Sequence, residues 1–142
     1  MPARAGSTLA SPATPDLVRR FYTDAWNRWD DDAVPELLAE DFVFRGSLGD
    51  ETRGHDGWRG YRDRIRAAVP DFHNEIVELV AEDGRAAARL WYSGHLHGTL
   101  LGRRGNGEPI GYGGAAFFTA AGGLLTIAWV LGDLETLRRC LP

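Results

Sequence analysis

The chain has 142 residues, of which 44% are hydrophobic and 25% are charged, and its formal net charge at pH 7 is −4. These values are typical of one soluble globular domain that is long enough to bury its own core. They argue against a nucleic-acid-binding protein, because affinity for phosphates needs clustered Lys and Arg and the chain has no basic stripe.

The amino-terminal segment and the cysteine content give two further expectations. Residues 1–13 are rich in Ala, Ser, Pro and Gly without a long apolar stretch, which predicts a flexible tail rather than a signal peptide or membrane span. Cys140 is the only cysteine, so no internal disulfide can form, and no Cys/His spacing indicates a metal site. We therefore expect a cytoplasmic protein without membrane contact, with one folded domain over residues 14–142 and no cofactor.

Two helices are predicted before the first strand. Thr14 is suited to the N-cap of the first helix and Pro15 to its first turn, and apolar residues then recur at helical spacing as far as Asn27. A second, short helix is predicted over residues 34–38, with Asp32 as its cap.

A third helix is predicted over residues 56–68, and Pro70 ends it. This helix carries the one local basic cluster, Arg62, Arg64 and Arg66. Because these residues alternate beside an aspartate, we interpret the cluster as a solvent-exposed face.

Five runs are predicted to be strands, namely residues 41–45, 72–81, 86–98, 110–119 and 124–131. Hairpin turns are predicted at Gly84 and at Gly122-Gly123. A final helix is predicted over residues 134–139, with Asp133 as its cap. Helices followed by an antiparallel meander predict an α+β fold, with helices on one face of a curved sheet.

The polar loop over residues 99–109 is rich in Gly and Arg. Its central stretch, residues 102–107, lacks the strand-loop-helix context and the Lys-Ser/Thr ending of a phosphate-binding loop. We interpret it as a flexible lip over the mouth of a pocket, where Arg103 and Arg104 meet an acidic group of the substrate.

Several motifs carry a family resemblance over nearly the whole chain. They are Val18-Arg19-Arg20-Phe21-Tyr22 with Trp26-Asn27, Leu37-Leu38-Ala39-Glu40-Asp41-Phe42, Pro70-Asp71-Phe72, Gly94 with Gly98 and Gly102, and Gly122-Gly123 followed by Trp129-Val130-Leu131-Gly132-Asp133. In their order and spacing the chain resembles the NTF2-like superfamily and, within it, the SnoaL-like polyketide cyclases and the ester cyclase group. The resemblance implies a cone-shaped barrel, in which a curved antiparallel sheet wraps around a pocket behind three N-terminal helices. It also implies a homodimer formed through the outer face of the sheet.

The chain departs from that family at the residues of aldol chemistry. The position of the family's acid/base Asp is Val130, and that of its supporting His is Ala116. A frequent family Asn falls on Phe44, and the His of a Gly-x-His-x-Gly motif falls on Leu96. An aldol mechanism needs a base that removes a proton next to a carbonyl, so the resemblance disfavours aldol chemistry here.

The same mapping identifies positions that would line the pocket and bind substrate. They are Trp26, Phe44, Trp58, Tyr61, Leu96, Ala116, Phe118, Trp129 and Val130. Most are aromatic or aliphatic, which favours a hydrophobic or aromatic small molecule as the substrate.

Three charged or titratable residues are candidates for acid/base catalysis. Asp133 either caps the last helix or is a pocket carboxylate whose pKa is raised by apolar neighbours. His95 and His97 flank Leu96 on an alternating strand, so they point outward if Leu96 points inward, unless a bulge at a neighbouring glycine reverses the faces. A histidine in the pocket would shuttle protons near neutral pH.

Tyr92 and Tyr112 share the strand parity of Leu96 and Ala116, and the mapping therefore turns them inward. Either they are packing residues of the core, or their phenols donate hydrogen bonds to a substrate oxygen.

These observations favour a cofactor-free cyclase of natural-product biosynthesis that closes a ring by acid/base catalysis. The absent aldol residues favour epoxide opening by a hydroxyl to give a cyclic ether, with Asp133 or a pocket histidine as the acid and His97, Tyr92 or Tyr112 as the base or orienting phenol. The alternatives are an epoxide hydrolase, dehydratase or isomerase on the same fold, and a small-molecule-binding accessory protein without catalysis.

Overall fold

The computed structural model describes residues 12–142, so most of the predicted tail over residues 1–13 lies outside the described residues. The helices are α1 (Thr14–Arg20), which continues as a π-helical segment (Phe21–Asn27), a 3-10 turn (Asp31–Ala33), α2 (Val34–Leu37), α3 (Gly54–Ala68) and α4 (Leu134–Cys140). The strands are β1 (Leu38–Arg45), β2 (Glu51–Arg53), β3 (His73–Glu82), β4 (Arg85–Leu96), β5 (Thr99–Leu100), β6 (Arg103–Arg104), β7 (Glu108–Ala121) and β8 (Leu124–Gly132).

The long strands form one six-stranded sheet in the order β2-β1-β8-β7-β4-β3. Only the β1–β8 pair is parallel. The sheet is curved and unclosed, with helices packed on one face. The predicted α+β architecture is therefore confirmed.

An aromatic cluster joins the helices to the sheet. The ring of Phe21, at the start of the π-helical segment, has its centroid 5.2–6.3 Å from those of five other aromatic rings. These five rings belong to Tyr22, Phe42, Phe44, Trp58 and Phe118. Because such edge and tilted contacts add to the free energy of burial, they set the position of α1 on the sheet.

Two predicted helix caps are wrong. Thr14 lies inside α1, and its hydroxyl instead accepts a hydrogen bond from the backbone N–H of Gly84 at 3.0 Å, which ties the helix to the β3–β4 turn. Asp32 does not cap α2, whose N-cap is Ala33 without a side-chain hydrogen bond. Asp30 caps the preceding 3-10 turn, with its Oδ1 accepting a hydrogen bond from Asp32 N at 3.0 Å.

The predicted strands are present, but two short pairings are not evident from the sequence. β2 lies between the predicted strand over residues 41–45 and the predicted third helix, and it pairs with the end of β1. β5 and β6 form a small hairpin inside the predicted loop over residues 99–109. Both pairings are only two or three residues long, which is too short for a periodic sequence signal.

The interpretation of the basic cluster on α3 as a solvent-exposed face is wrong for Arg62, whose side chain is 1% exposed. Its guanidinium donates hydrogen bonds to Asp31 Oδ1 at 2.7 Å, Asp63 Oδ1 at 3.1 Å and the carbonyl of Ala25 at 3.3 Å. It also stacks on the rings of Trp58 and Trp29. A buried charge with this set of partners links α3 to the end of the first helix.

Among residues 12–142, none of the helices combines the length and the apolar character needed to cross a lipid bilayer.

Arg62→Ala is expected to lower the free energy of unfolding by about 1–3 kcal/mol, because it leaves the carbonyl of Ala25 without its buried donor and removes the guanidinium packed against Trp58 and Trp29. Urea denaturation followed by tryptophan fluorescence measures this loss. Arg64→Ala, two residues away on the exposed side of α3, is the control and should change stability by less than about 0.5 kcal/mol. Equal losses in both variants would contradict a specific role for Arg62.

Candidate active site

All four tyrosines of the chain meet at one place between the helices and the sheet. Tyr22 comes from the π-helical segment, Tyr61 from α3, and Tyr92 and Tyr112 from the paired strands β4 and β7. Each is 1–3% exposed. Tyr92 and Tyr112 are direct cross-strand partners, with their ring centroids 4.8 Å apart.

These tyrosines border a small inner cavity. Its lining consists of Tyr22, Trp26, Phe44, Ser47, Tyr61, Ile65, Phe72, Asn74, Tyr92 and Val130, and Tyr112 reaches it through Ser47. The cavity has a volume of about 10 Å³, counted as the space open to the centre of a water-sized sphere. That is room for about one water molecule.

The phenol groups differ in their hydrogen bonds. The hydroxyls of Tyr112 and Ser47 are 2.9 Å apart and hydrogen-bonded. Tyr61 Oη accepts a long hydrogen bond of 3.4 Å from Leu48 N. Within residues 12–142, the hydroxyls of Tyr22 and Tyr92 make no hydrogen bond to another residue, so both can serve a ligand.

Burial keeps the four phenols protonated. It raises the pKa of Tyr22, Tyr92 and Tyr112 far above the ordinary value near 10, and it raises the pKa of Tyr61 as well. Neighbouring phenols raise the pKa of Tyr92 further. Neutral phenols are hydrogen-bond donors and weak acids rather than bases near pH 7.

Asn74 adds a fixed hydrogen-bond acceptor to this wall. The amide of Asn27 bonds the backbone of Asn74 at two points: Asn27 Oδ1 accepts from Asn74 N, and Asn27 Nδ2 donates to Asn74 O, each at 2.9 Å. Because a backbone N–H can only donate, this pairing fixes the orientation of the Asn27 amide. Asn27 Oδ1 then also accepts from Asn74 Nδ2 at 3.2 Å, which leaves Asn74 Oδ1 as a free acceptor at the cavity.

The predicted substrate-binding positions fall into three groups. Trp26, Phe44, Tyr61 and Val130 line the cavity. Trp58, Leu96, Ala116 and Phe118 are buried in the surrounding core without lining it. Trp129 is 41% exposed and packs against Phe117 and Arg45 on the opposite face of the sheet, so its predicted place in the pocket wall is wrong.

Asp133 caps α4 and lies outside the cavity. Its Oδ1 accepts from Thr136 N at 3.1 Å, and its Oδ2 accepts from Thr136 Oγ1 at 2.7 Å. These bonds, that of the Thr136 hydroxyl first, hold the pKa of Asp133 below its ordinary value. The alternative of a pocket carboxylate with a raised pKa is therefore wrong, because an exposed cap favours the charged form.

His95 and His97 also point away from the cavity. Leu96 between them is fully buried, and both histidines are exposed. The β4–β7 pairing runs without a bulge from Arg85 to Leu96, so the alternation of faces is not reversed. His95 Nδ1 instead lies 2.6 Å from Asp71 Oδ2 at the surface.

Four polar or aromatic groups of the cavity are missing from the predicted site: Tyr22, Ser47, Phe72 and Asn74. Tyr22 lies four residues before Trp26, and this helical spacing could have identified it. Asn74 lies two residues after Phe72, so strand alternation puts the two on one face. Ser47 lies in a loop and has no sequence signal.

Comparisons with known proteins agree with this architecture. A sequence profile described as SnoaL-like polyketide cyclase matches residues 16–141. The chain is similar to TsrD from Streptomyces laurentii, with 27% identity, a TM-score of 0.77 and coverage of 89% of this chain and 92% of that one. It is also similar to a SnoaL-like polyketide cyclase from Agrobacterium tumefaciens, with 21% identity, a TM-score of 0.77 and coverage of 90% and 97%.

A structure from Jannaschia sp. CCS1 has a TM-score of 0.80 at 16% identity, with coverage of 89% of this chain and 90% of that one. At the identities of the Agrobacterium and Jannaschia proteins, the likeness shows the fold alone. A comparison with curated protein sequences finds no match.

The pKa shifts predict that the folded protein has no phenolate absorbance near 295 nm until the pH rises well above the ordinary tyrosine pKa of about 10. Because the folded pKa values are raised, the tyrosines stabilise the fold fully below that pH and lose this contribution as the pH rises further. A spectrophotometric titration beside circular dichroism should show phenolate appearing together with unfolding. A tyrosine that titrates near pH 10 in folded protein would contradict the burial of that phenol.

Proposed function

Because the chain belongs to the SnoaL-like polyketide cyclase family, we propose that it is a cofactor-free cyclase that closes a ring by opening an epoxide to a cyclic ether, in natural-product biosynthesis. The observation that carries the proposal is the convergence of all four tyrosines on a cavity whose lining, within residues 12–142, contains no carboxylate and no histidine. Such a wall supplies neutral hydrogen-bond donors where a substrate oxygen gains negative charge.

The proposed reaction needs only the phenols and the side-chain amide of Asn74. A phenol, Tyr92 or Tyr22, donates a hydrogen bond to the epoxide oxygen, and Asn74 Oδ1 accepts one from the attacking hydroxyl of the same substrate. The hydroxyl oxygen forms the new C–O bond while an epoxide C–O bond breaks. The proton of the hydroxyl ends on the former epoxide oxygen by way of the phenols, so the product is an isomer of the substrate and no net proton is consumed.

The aromatic walls of the cavity make a second contribution to catalysis, because they hold and orient the substrate. Trp26, Phe44 and Phe72 surround the phenols, and their apolar faces suit a hydrophobic or aromatic substrate. Holding the hydroxyl close to the epoxide carbon in a folded conformation converts the encounter into an oriented intramolecular step.

Tyr92→Phe is expected to lower kcat for an aryl-substituted γ,δ-epoxy alcohol at least about 100-fold, because it removes one donor to the leaving oxygen while it keeps the ring. Product formation is measured by chromatography. Asp133→Asn and His95→Gln, both outside the cavity, are the controls and should keep wild-type kcat. Unchanged turnover in Tyr92→Phe and Tyr22→Phe, with intact folding, would contradict catalysis by phenols.

A binding protein without catalysis is the second candidate. It is favoured by the raised pKa of every tyrosine at the cavity, since none is ionised near neutral pH. The same epoxy alcohol distinguishes the two functions. If it quenches the fluorescence of the buried Trp26 without conversion, the protein is a binder.

The proposal includes a homodimer formed through the outer face of the sheet. The register aligns Val80, Ala87, Phe117 and Trp129 in one row across β3, β4, β7 and β8. Val80 is 60% and Phe117 is 53% exposed, and Ile127 and Leu131 on β8 add to the row. Contiguous exposed apolar surface of this kind is typical of an interface.

Phe117→Glu is expected to convert the dimer to a monomer, because each copy would bury a carboxylate in an apolar interface. Size-exclusion chromatography with light scattering measures the mass. Arg19→Glu, on the exposed side of α1, is the charge-change control and should leave the mass unchanged. A wild-type protein that is already monomeric would refute the dimer.

A further inference from the structure

The inner cavity is too small for any substrate in which a ring closes. Its volume of about 10 Å³ admits about one water molecule, yet its wall carries the phenols of Tyr22, Tyr61 and Tyr92, and Tyr112 reaches it through Ser47. A side chain of the wall therefore has to move before a substrate can enter.

An outer pocket of about 310 Å³ lies directly beside this cavity. Its lining consists of Leu48, Asp50, Tyr61, Arg64, Ile65, Thr99, Leu100 and Leu101. Tyr61 and Ile65 are one helical turn apart on α3, and both also line the inner cavity. These two side chains are therefore the partition between the two spaces.

The Tyr61 ring is held in place by contacts that are weak on its polar end. Its ring packs edge-on against Phe44, with a centroid distance of 5.0 Å, and against Trp26 at 6.2 Å. Its hydroxyl accepts a 3.4 Å bond from Leu48 N, which is near the limit of a hydrogen bond, and it shares the neighbouring Ser47 hydroxyl with Tyr112. The outer pocket offers the ring room to rotate away from the cavity.

Gly46 makes the closed position of Tyr61 possible. A Cβ atom at Gly46 would lie 2.2 Å from Tyr61 Cζ and 2.3 Å from its hydroxyl oxygen. This is a clash that only movement of the ring or of the backbone relieves. The absence of a side chain at position 46 is therefore what lets the phenol close the cavity.

The outer pocket is apolar on its inner side and polar at its rim. Leu48, Ile65, Leu100 and Leu101 provide the apolar wall, and Leu100 is 7% exposed. The charges of Asp50 and Arg64 lie on exposed side chains at the rim. A pocket of this composition suits the apolar part of a ligand whose polar end points inward.

We infer that Tyr61 is a gate and that the outer pocket is a second compartment of the substrate site. The substrate is an elongated molecule whose polar, reacting end passes Tyr61 to meet Tyr92 and Asn74, while its apolar remainder lies against Leu48, Leu100 and Leu101. This inference rests on the proposed function for the identity of the reacting end, and the binding of a probe tests it without turnover.

The probe is 4-phenylphenol, whose hydroxyl-bearing ring matches the space that the Tyr61 ring leaves beside the inner cavity when it moves, and whose second ring matches the outer pocket. When a site is open for only a fraction of the time, the apparent Kd equals the intrinsic Kd divided by that fraction and is therefore higher. Gly46→Ala, which displaces the ring, and Tyr61→Ala, which removes it, are expected to lower the Kd at least about tenfold. The association rate should rise with the affinity.

Leu101→Asp tests the outer compartment. Leu101 is 36% exposed and has a φ of 49°, a conformation that Asp tolerates better than most residues, so the variant should fold. The carboxylate next to the second ring is expected to raise the Kd of 4-phenylphenol about tenfold, while phenol, which lacks that ring, should show no change. Gly113→Ala is the glycine control, because its added Cβ would have only an ordinary contact at 3.6 Å, and it should bind as the wild type does.

Isothermal titration calorimetry gives each Kd, and urea unfolding verifies that each variant is folded. An unchanged Kd in whichever of Gly46→Ala and Tyr61→Ala is folded overturns the gate, and an unchanged Kd in Leu101→Asp overturns the outer compartment. Probe binding that follows the expected pattern without conversion of any epoxy alcohol leaves the gate standing and rejects the cyclase. If the epoxy alcohol is converted but the Kd of 4-phenylphenol is unchanged in all the variants, the gate is rejected and the cyclase stands.

Discussion

The uninterrupted pairing of β4 with β7 decides which side chains lie inside this protein and which lie on its outer face. Twelve consecutive residues of β4, from Arg85 to Leu96, pair with β7 without a bulge. Side chains therefore alternate strictly between the two faces of the sheet. Tyr92 and Tyr112 face the helices, whereas His95, His97 and Phe117 face the other way. A single inserted residue would have exchanged these two sets.

The chemistry of the cavity follows from that division. The histidines are outside and Asp133 is bound to the first turn of α4, so the polar groups within reach of a ligand are phenols, a serine hydroxyl and an amide. Burial keeps the phenols neutral, and the Asn27–Asn74 pair fixes one acceptor beside Tyr92, the cross-strand partner of Asn74. A site built in this way stabilises developing charge on oxygen through hydrogen bonds, and it does not depend on an ionised base.

The helices decide how accessible this site is. The π-helical segment delivers Tyr22, Trp26 and Asn27 to the sheet, and wide turns of this kind are frequent at functional sites. Arg62 fixes α3 to the end of the first helix through three hydrogen bonds and through contacts with two aromatic rings. Between these rigid contacts, Tyr61 is held by packing, by a long hydrogen bond from Leu48 N and by the neighbouring Ser47 hydroxyl. It lies between the small inner cavity and the larger outer pocket.

The sequence by itself determined the order of elements, the α+β architecture and the inward positions on β4 and β7, because apolar periodicity and turn residues are local properties. On β8 it wrongly placed Trp129 inside beside its neighbour Val130. It also identified Trp26, Phe44, Tyr61, Tyr92 and Val130, which the structure places at the cavity. It could not separate a core position such as Phe118 from a lining one, since this depends on how helices and sheet pack. Only the tertiary structure decided that Thr14 bonds Gly84, that Arg62 is buried, and that Ser47 and Asn74 join the tyrosines, because these contacts join segments far apart in the chain.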